Sequence, residues 1–296
     1  MKYLQPELLA ELGALQLVAK TVVEGFFSGL HSSKRLGTGM EFSQYRSYQV
    51  GDDLRQLDWK LLARSNRYYI KQSETERNIN VRFLLDASAS MQYAENKVSK
   101  FEYMRFLVAS LAYMAFQQGD AIGLYSHNNQ TQQHLNPQFS STQLHRFFDL
   151  LEQGESQGQW VTNDALLNVC SPSGQHKELV ILVSDFYESN TLKEITQIAE
   201  RFSSFRHEVL VFHLVGEKEQ TLDFEGLVEF EDLETGQIIE TDPKTIRKQY
   251  QMRWQAQQQT LENNLLNQGI FYQKANITQP LDDLLRFFLK TRMRLC

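Results

Sequence analysis

Residues 83–92 read FLLDASASMQ. The apolar run Phe83-Leu84-Leu85 suits a buried strand, and it stops at Asp86, after which Ser88 and Ser90 follow at every second position. Alternate residues of an extended chain project to one side, so a carboxylate and two hydroxyls can converge on one point. An all-oxygen donor set suits a hard divalent cation. Mg²⁺ takes six oxygens at ~2.1 Å in near-octahedral geometry and gives up its waters reluctantly. Asp86, Ser88 and Ser90 leave that shell incomplete, so water or a carboxylate from elsewhere must fill it. KELVILVSD (177–185) is a second greasy stretch that ends on a carboxylate, Asp185. A polar cluster after a strand also serves as a turn or a helix cap. What favours the metal reading is placement, with both aspartates closing strongly apolar strands.

The elements that must position these groups alternate in type. INVRFLLD, DAIGLYSHN, KELVILVSD and HEVLVFHLVG read as strands, and GIFYQKA as a last one. Between them, 98–119, STQLHRFFDLLEQ and TLKEITQIAERFSS have helical periodicity. Strand–helix alternation of this length implies βαβ units and an α/β fold with a doubly wound, mostly parallel sheet flanked by helices. In such sheets ligands sit beyond the carboxyl ends of the strands, where the winding reverses. If the strands of Asp86 and Asp185 are neighbours, the two carboxylates share one rim. Upstream, Leu8, Leu12, Leu15, Val18, Val22 and Phe26 predict one helix over 5–30, and 31–44 reads as loop. Downstream, an acidic stretch over 217–242 carries the hairpin FEDLETGQIIE with Thr235-Gly236 at its turn. A Gln-rich helix over about 243–267 follows, and PLDDLLRFFLKTRMR is a last helix with Pro280 at its start.

Composition narrows the function. With 42% hydrophobic and 22% charged residues the chain has the makeup of a soluble globular protein. The net charge of -6 argues against general nucleic-acid binding. Cys170 and Cys296 have no metal-type spacing and suit free thiols in a reducing compartment. Glu7 and Glu11 interrupt the apolar N-terminus, which lacks a cleavage-site pattern, and MRFLVASLAYMAF is too short to span a bilayer and carries Arg105. The expected location is the cytoplasm. The sequence holds no Gly-x-x-x-x-Gly-Lys loop, no His-Glu-x-x-His and no Gly-x-Ser-x-Gly elbow.

DASASM after a buried strand resembles the metal-ion-dependent adhesion site (MIDAS) of von Willebrand factor A domains. The resemblance implies a doubly wound α/β fold holding one Mg²⁺ at the sheet rim, Mn²⁺ being the alternative. It also implies a threonine from a second loop and an aspartate from a third. WVTNDALLNV offers Thr162, and VILVSDF offers Asp185. Where many relatives place glycines before the threonine, this chain has Trp160-Val161, so Asp164 stands as the substitute for Thr162. The implied metal set is Asp86, Ser88, Ser90, Thr162 and Asp185. The upstream segment RSYQVGDDLRQLDWKLLARSNRYYIKQSETERNINVRFLLDASASM is similar, nearly position for position, to the prokaryotic family called domain of unknown function 58. Arg46, Tyr48, Gly51, Asp52, Asp53, Arg55, Asp58, Trp59, Ala63, Arg64, Glu74 and Glu76 carry that likeness, which extends over about residues 20–296. It implies a MoxR-type AAA+ ATPase as partner and a chaperone-like role in maturing other proteins.

Two parts are expected: 1–77, the N-terminal helix with the Arg/Asp-rich family segment, and 78–296, the von Willebrand factor A-like domain with its acidic hairpin insertion near 217–242. Residues 46–71 hold six basic and three acidic side chains. The acids lie close enough to Arg55 and Arg64 for a salt-bridged scaffold, which is preferred over a nucleic-acid surface. Trp59 is expected to anchor a core. The functional expectation is a non-enzymatic binding protein whose metal bridges to an acidic residue of a client. The alternative is a Mg²⁺-dependent phosphoryl hydrolase or nuclease using Asp86 and Asp185, although two-metal chemistry wants more carboxylates around ions ~4 Å apart.

Overall fold

The structure, a computed structural model, describes residues 5–33, 44–48, 59–65, 67–72, 78–160, 177–186, 197 and 207–295. The chain forms two compact units, one of residues 1–28 with 78–296 and one of residues 29–77. In the smaller unit, β1 (Gln44–Ser47) pairs antiparallel with β2 (Tyr69–Gln72), and α3 (Trp59–Ser65) lies between them in sequence. Gly51, Asp52, Asp53, Arg55 and Asp58, which carry the family likeness and the expected scaffold, lie outside the described residues. Trp59 is 64% exposed, which corrects its expected role as a core anchor. A seven-residue helix in a unit this small has little interior to offer an indole.

The larger unit is built on a six-stranded sheet. Its strands are β3 (Asn80–Asp86), β6 (Ala121–His127), β7 (Gln132–Gln138), β8 (Glu178–Ser184), β9 (Glu208–Val215) and β12 (Phe271–Asn276), and a short antiparallel pair, β4 (Ala94–Glu95) and β5 (Val98–Ser99), stands apart from it. The six lie in the order β12-β9-β8-β3-β6-β7, all parallel except β7. From β3 the chain winds outward to β6 and β7. It then returns to β8 on the other side of β3 and winds the opposite way to β9 and β12. The sheet is therefore doubly wound and mostly parallel, and its winding reverses between β3 and β8. β3 and β8 are buried along nearly their whole length, as parallel strands covered on both faces must be.

Successive side chains leave opposite faces. On one face Phe83 meets Phe147 of α5 (Ser141–Gln153), and Phe212 meets Phe287 of α8 (Asp282–Leu295). Between them runs α4 (Lys100–Gln117), buried almost all round, with Ser99 Oγ capping it by accepting from Glu102 N at 3.0 Å. On the other face Leu84, Val180, Leu182, Val209 and Val211 pack with Leu261 and Leu265 of α7 (Pro243–Asn267). The acidic hairpin is β10 (Val228–Glu231) paired with β11 (Ile238–Thr241), preceded by the short α6 (Glu217–Thr221). TLKEITQIAERFSS falls almost wholly outside the described residues.

Two departures have local causes. The helix expected over 5–30 is two helices, α1 (Pro6–Ala10) and α2 (Leu15–Ser33). Gly13 separates them at φ +74°, a conformation that strains any residue with a Cβ. The break shifts the helical phase, so Leu15, Val18, Val22 and Phe26 are buried while Leu8 and Leu12 are exposed. The polar strand QQHLNPQ escaped the pattern because only Leu135 of β7 faces inward, as an edge strand allows. Among the described residues no helix is long and apolar enough to cross a membrane.

Candidate metal centre

Asp86 is the last residue of β3, and Asp185 follows directly on β8. Because β3 and β8 are adjacent, the two carboxylates share the rim at the reversal of winding, where an open α/β sheet leaves a crevice. After Asp86 the chain stays extended through Ser88 (φ -67°, ψ 163°) and then turns into a short 3₁₀ helix, Ala89–Gln92. The loop is pinned by the segment before Trp160: Ala89 N donates to Gly158 O at 2.8 Å, Gln157 N to Ala87 O at 2.9 Å, and Ser156 Oγ to Ser88 O at 2.5 Å. Asn128 Nδ2 adds a bond to Ala87 O at 3.0 Å.

The side-chain oxygens form two sets, Ser88–Ser90–Asp185 and Asp86–Ser184, joined through the Ser88 backbone N–H. Ser88 Oγ lies 3.0 Å from Ser90 Oγ, and Ser90 Oγ donates to Asp185 Oδ1 at 3.2 Å. Asp86 Oδ1 accepts from Ser88 N at 2.9 Å, and Asp86 Oδ2 accepts from Ser184 Oγ at 2.6 Å. Adjacent ligands of an octahedral Mg²⁺ at ~2.1 Å are ~3.0 Å apart, which is the spacing of the Ser88 and Ser90 hydroxyls. No three His, Cys, Asp or Glu side chains gather as a metal cluster among the described residues, so this donor set depends on its hydroxyls. It fits a hard cation that keeps several waters and does not fit a thiolate- or imidazole-seeking metal.

Electrostatics set this rim apart. Asp86, Ser88, Ser90 and Asp185 are all buried. Burial, and then the charge of Asp185, push the Asp86 carboxyl up to about 6, against the hydrogen bonds from Ser184 and Ser88 that favour its ionised form. A cation beside Asp86 would relieve both penalties. One cation is built in. Lys100 Nζ donates to Asp185 Oδ2 at 2.8 Å and to Glu219 Oε1 at 2.7 Å. Burial disfavours the Lys100 ammonium, but Asp185 and Glu219 outweigh it, and the lysine pKa is raised. Asp185 thus turns one oxygen to Lys100 and the other to Ser90.

Behind the rim, His213 Nε2 lies 3.0 Å from Asp185 O and Nδ1 lies 2.8 Å from the Tyr272 hydroxyl. Burial drives the His213 pKa down to about 3, so the ring is neutral and orients the Asp185 backbone without adding charge. Phe186, next in the chain, takes a left-handed φ of +53°, uncommon for an aromatic residue, and its N–H donates to Ser184 Oγ at 3.0 Å. On the Glu219 side, the buried Glu95 carboxylate accepts from Glu217 N and Lys218 N, holding the start of α6 in place. A Cβ at Gly216 would lie 2.4 Å from Glu95 Oε1 and 2.5 Å from Tyr93 Cε1, so a larger residue would displace those side chains.

Residues 44–260, most of the chain, match the sequence family described as protein of unknown function DUF58. The chain belongs to this family. Uncharacterized proteins of Mycobacterium tuberculosis and Mycobacterium bovis are 24% identical to this DUF58 protein over 238 residues, covering 79% of this chain and 74% of theirs. Among solved structures, it is similar to an aerotolerance-related membrane protein of Bacteroides fragilis (16% identity, 73% of this chain and 100% of that chain, TM-score 0.48). BatB of Bacteroides thetaiotaomicron gives 15% identity, the same coverage and a TM-score of 0.47. The SpRpn10 VWA domain gives 15% identity over 46% of this chain and 75% of its own, with a TM-score of 0.37.

Of the residues singled out in the sequence, the DUF58 fold brings Asp86, Ser88, Ser90 and Asp185 together. Thr162 and its substitute Asp164 lie outside the described residues. Sequence reasoning missed Lys100, Ser184 and Glu219. Lys100 left a signal, because a lysine opening a helix opposes the helix dipole, which favours acids there. Ser184 and Glu219 left none, since both read as ordinary polar residues.

Proposed function

We propose that this DUF58 protein is a non-enzymatic, metal-dependent binding module that uses one Mg²⁺, or Mn²⁺, to grip a carboxylate of a client protein. Asp86, Ser88 and Ser90 would hold the ion directly. Asp185 would hold it through Ser90 and water, because its other oxygen is engaged by Lys100, and Thr162 is the proposed ligand from the second loop. The bound ion would supply an open coordination position for an incoming carboxylate. The chain's own residues orient the oxygens and hold surplus negative charge at the rim. One observation carries the reading: the buried Ser88 and Ser90 hydroxyls lie 3.0 Å apart, an octahedral-edge spacing, on the loop that links the Asp86 and Asp185 carboxylates of neighbouring strands at the sheet's reversal of winding.

Family resemblance supplies the rest. A MoxR-type AAA+ ATPase in the cytoplasm is the proposed partner. The ATPase hydrolyses ATP, and this chain recognises the client during chaperone-like assembly. The phosphoryl hydrolase alternative is weaker, because one of its two carboxylates is neutralised by a buried ammonium. An ion that binds only the folded state raises the melting temperature as its concentration rises. Wild type is expected to melt progressively higher with Mg²⁺, and Asp86→Ala and Ser88→Ala to fold and melt without that rise. An equal rise in all three proteins would remove the ion from this site. Pull-downs with Mg²⁺, with EDTA and with Asp86→Ala then test the partnership: an ATPase or client recovered in all three would keep the partner and discard the metal bridge.

A further inference from the structure

A cavity of about 400 Å³ opens beside the candidate metal centre, and nothing in the mechanism above uses it. Its floor is Ser90, Lys100 and Asp185, and its walls are the apolar side chains of the segment after α6, the hairpin and the start of α7, chiefly Leu222, Phe224 and Phe230. Phe230 and Ile239 are directly paired across the hairpin, so they share one face. Both line the cavity, yet Ile239 is 64% exposed. A two-stranded hairpin is marginal by itself, and this one spends its apolar face on a cavity wall open to solvent. Such patches mark binding surfaces.

The charges around the cavity say what enters it. Residues 217–242 hold ten carboxylates against a single lysine. Glu231 and Asp232 stand at the cavity edge, and on the hairpin's other face Glu229 is paired directly with Glu240, a like-charge pairing that destabilises the hairpin. This rim repels any acid not held by a cation and attracts a base. We infer that the cavity takes a large apolar side chain of a client segment whose neighbouring acidic residue sits on the metal, with basic residues flanking the pair along the acidic hairpin. This rests on the metal–carboxylate reading and adds the client's chemistry to it: acid, then apolar, then basic. A volume near the lower end of ligand pockets suits one or two side chains.

The test is selection of a displayed library of short peptides, each with one fixed aspartate and random flanks, on the immobilised full chain in Mg²⁺. Phe, Leu, Ile or Met next to the aspartate is expected to be enriched roughly tenfold or more, the gain from burying one such side chain. Lys and Arg should be enriched further out. Ile239→Asp, at an exposed position, should abolish the apolar preference and keep Mg²⁺-dependent capture. Mg²⁺-dependent capture with no preference beside the aspartate, or a preference unchanged by Ile239→Asp, would overturn the inference and leave the metal reading standing. Apolar peptides captured equally in EDTA or by Asp86→Ala would instead overturn the metal reading, and the acid–apolar pairing with it. No enrichment of any kind would overturn both.

Discussion

The two ends of the central sheet treat buried charge in opposite ways. At the amino ends of the strands, Asp120 is held by Arg292 through two bonds, of 2.5 and 2.9 Å, and also accepts from Ile79 N at 3.2 Å. Arg82 pairs with Glu178 at 2.9 Å. Asp120 and Glu178 each meet a guanidinium, whose planar fork suits such pairing, and the pairs tie α8 and β8 to the base of the sheet. At the carboxyl ends, among the described residues, Asp185 and Glu219 share the ammonium of Lys100, and the charge of Asp185 also bears on Asp86. One end neutralises its charge and holds the fold together. The other keeps negative charge in excess, which costs stability and suits a divalent cation.

The largest expected difference comes from removing one acid at each end. Asp120→Ala removes two charge-assisted bonds from the buried Arg292 and should cost about 3–5 kcal/mol in denaturant unfolding. Asp86→Ala should unfold close to wild type in the absence of divalent ions, and similar losses at both ends would dissolve the contrast. Lys100→Gln is expected to cost about 2–3 kcal/mol without metal, less than a fully enclosed pair because Glu219 is partly exposed. Mg²⁺ should recover part of that loss in a calorimetric melt, and a Lys100→Gln protein indifferent to Mg²⁺ would mean that the ion and the ammonium do not answer the same charge.

The pH dependence sharpens the contrast. Asp86 moves from an ordinary 3.8 to about 6 on folding. The folded chain therefore holds this proton more tightly than the unfolded chain does. Stability from that proton is fully present below about pH 4 and is lost as pH rises through about 6. In metal-free buffer near pH 7.5, Asp86→Asn should therefore be the more stable protein by roughly 1–2 kcal/mol, the removed charge outweighing weakened hydrogen bonds. Melting curves across pH check this, and a wild type more stable than Asp86→Asn at pH 7.5 would contradict the excess charge. The smallest effect is a control outside both charge clusters: Gly13→Ala should cost about 1 kcal/mol, because alanine resists φ +74°.

Much of this was legible in the chain. Strands such as FLLD and VILVSD announce themselves because parallel strands covered on both faces must be apolar throughout, and a carboxylate ending such a run stands out against it. The helix over 243–267 and the turn at Thr235-Gly236 were legible because Pro243, with Asp242 capping it, and Gly236 are local devices. The break at Gly13 was obscured because apolar residues continue across it, and β7 because an edge strand need bury only one residue in seven.

By itself, then, the sequence determined the α/β alternation and the candidate oxygens Asp86, Ser88, Ser90 and Asp185, since both follow from residue type and short-range spacing. The tertiary structure alone decided that β3 and β8 are neighbours, which makes two distant aspartates one rim. It alone brought Lys100 and Glu219 together across 119 residues, and set the hairpin's apolar face beside them. Contacts over such separations depend on strand order and packing, and no local pattern of residues encodes either.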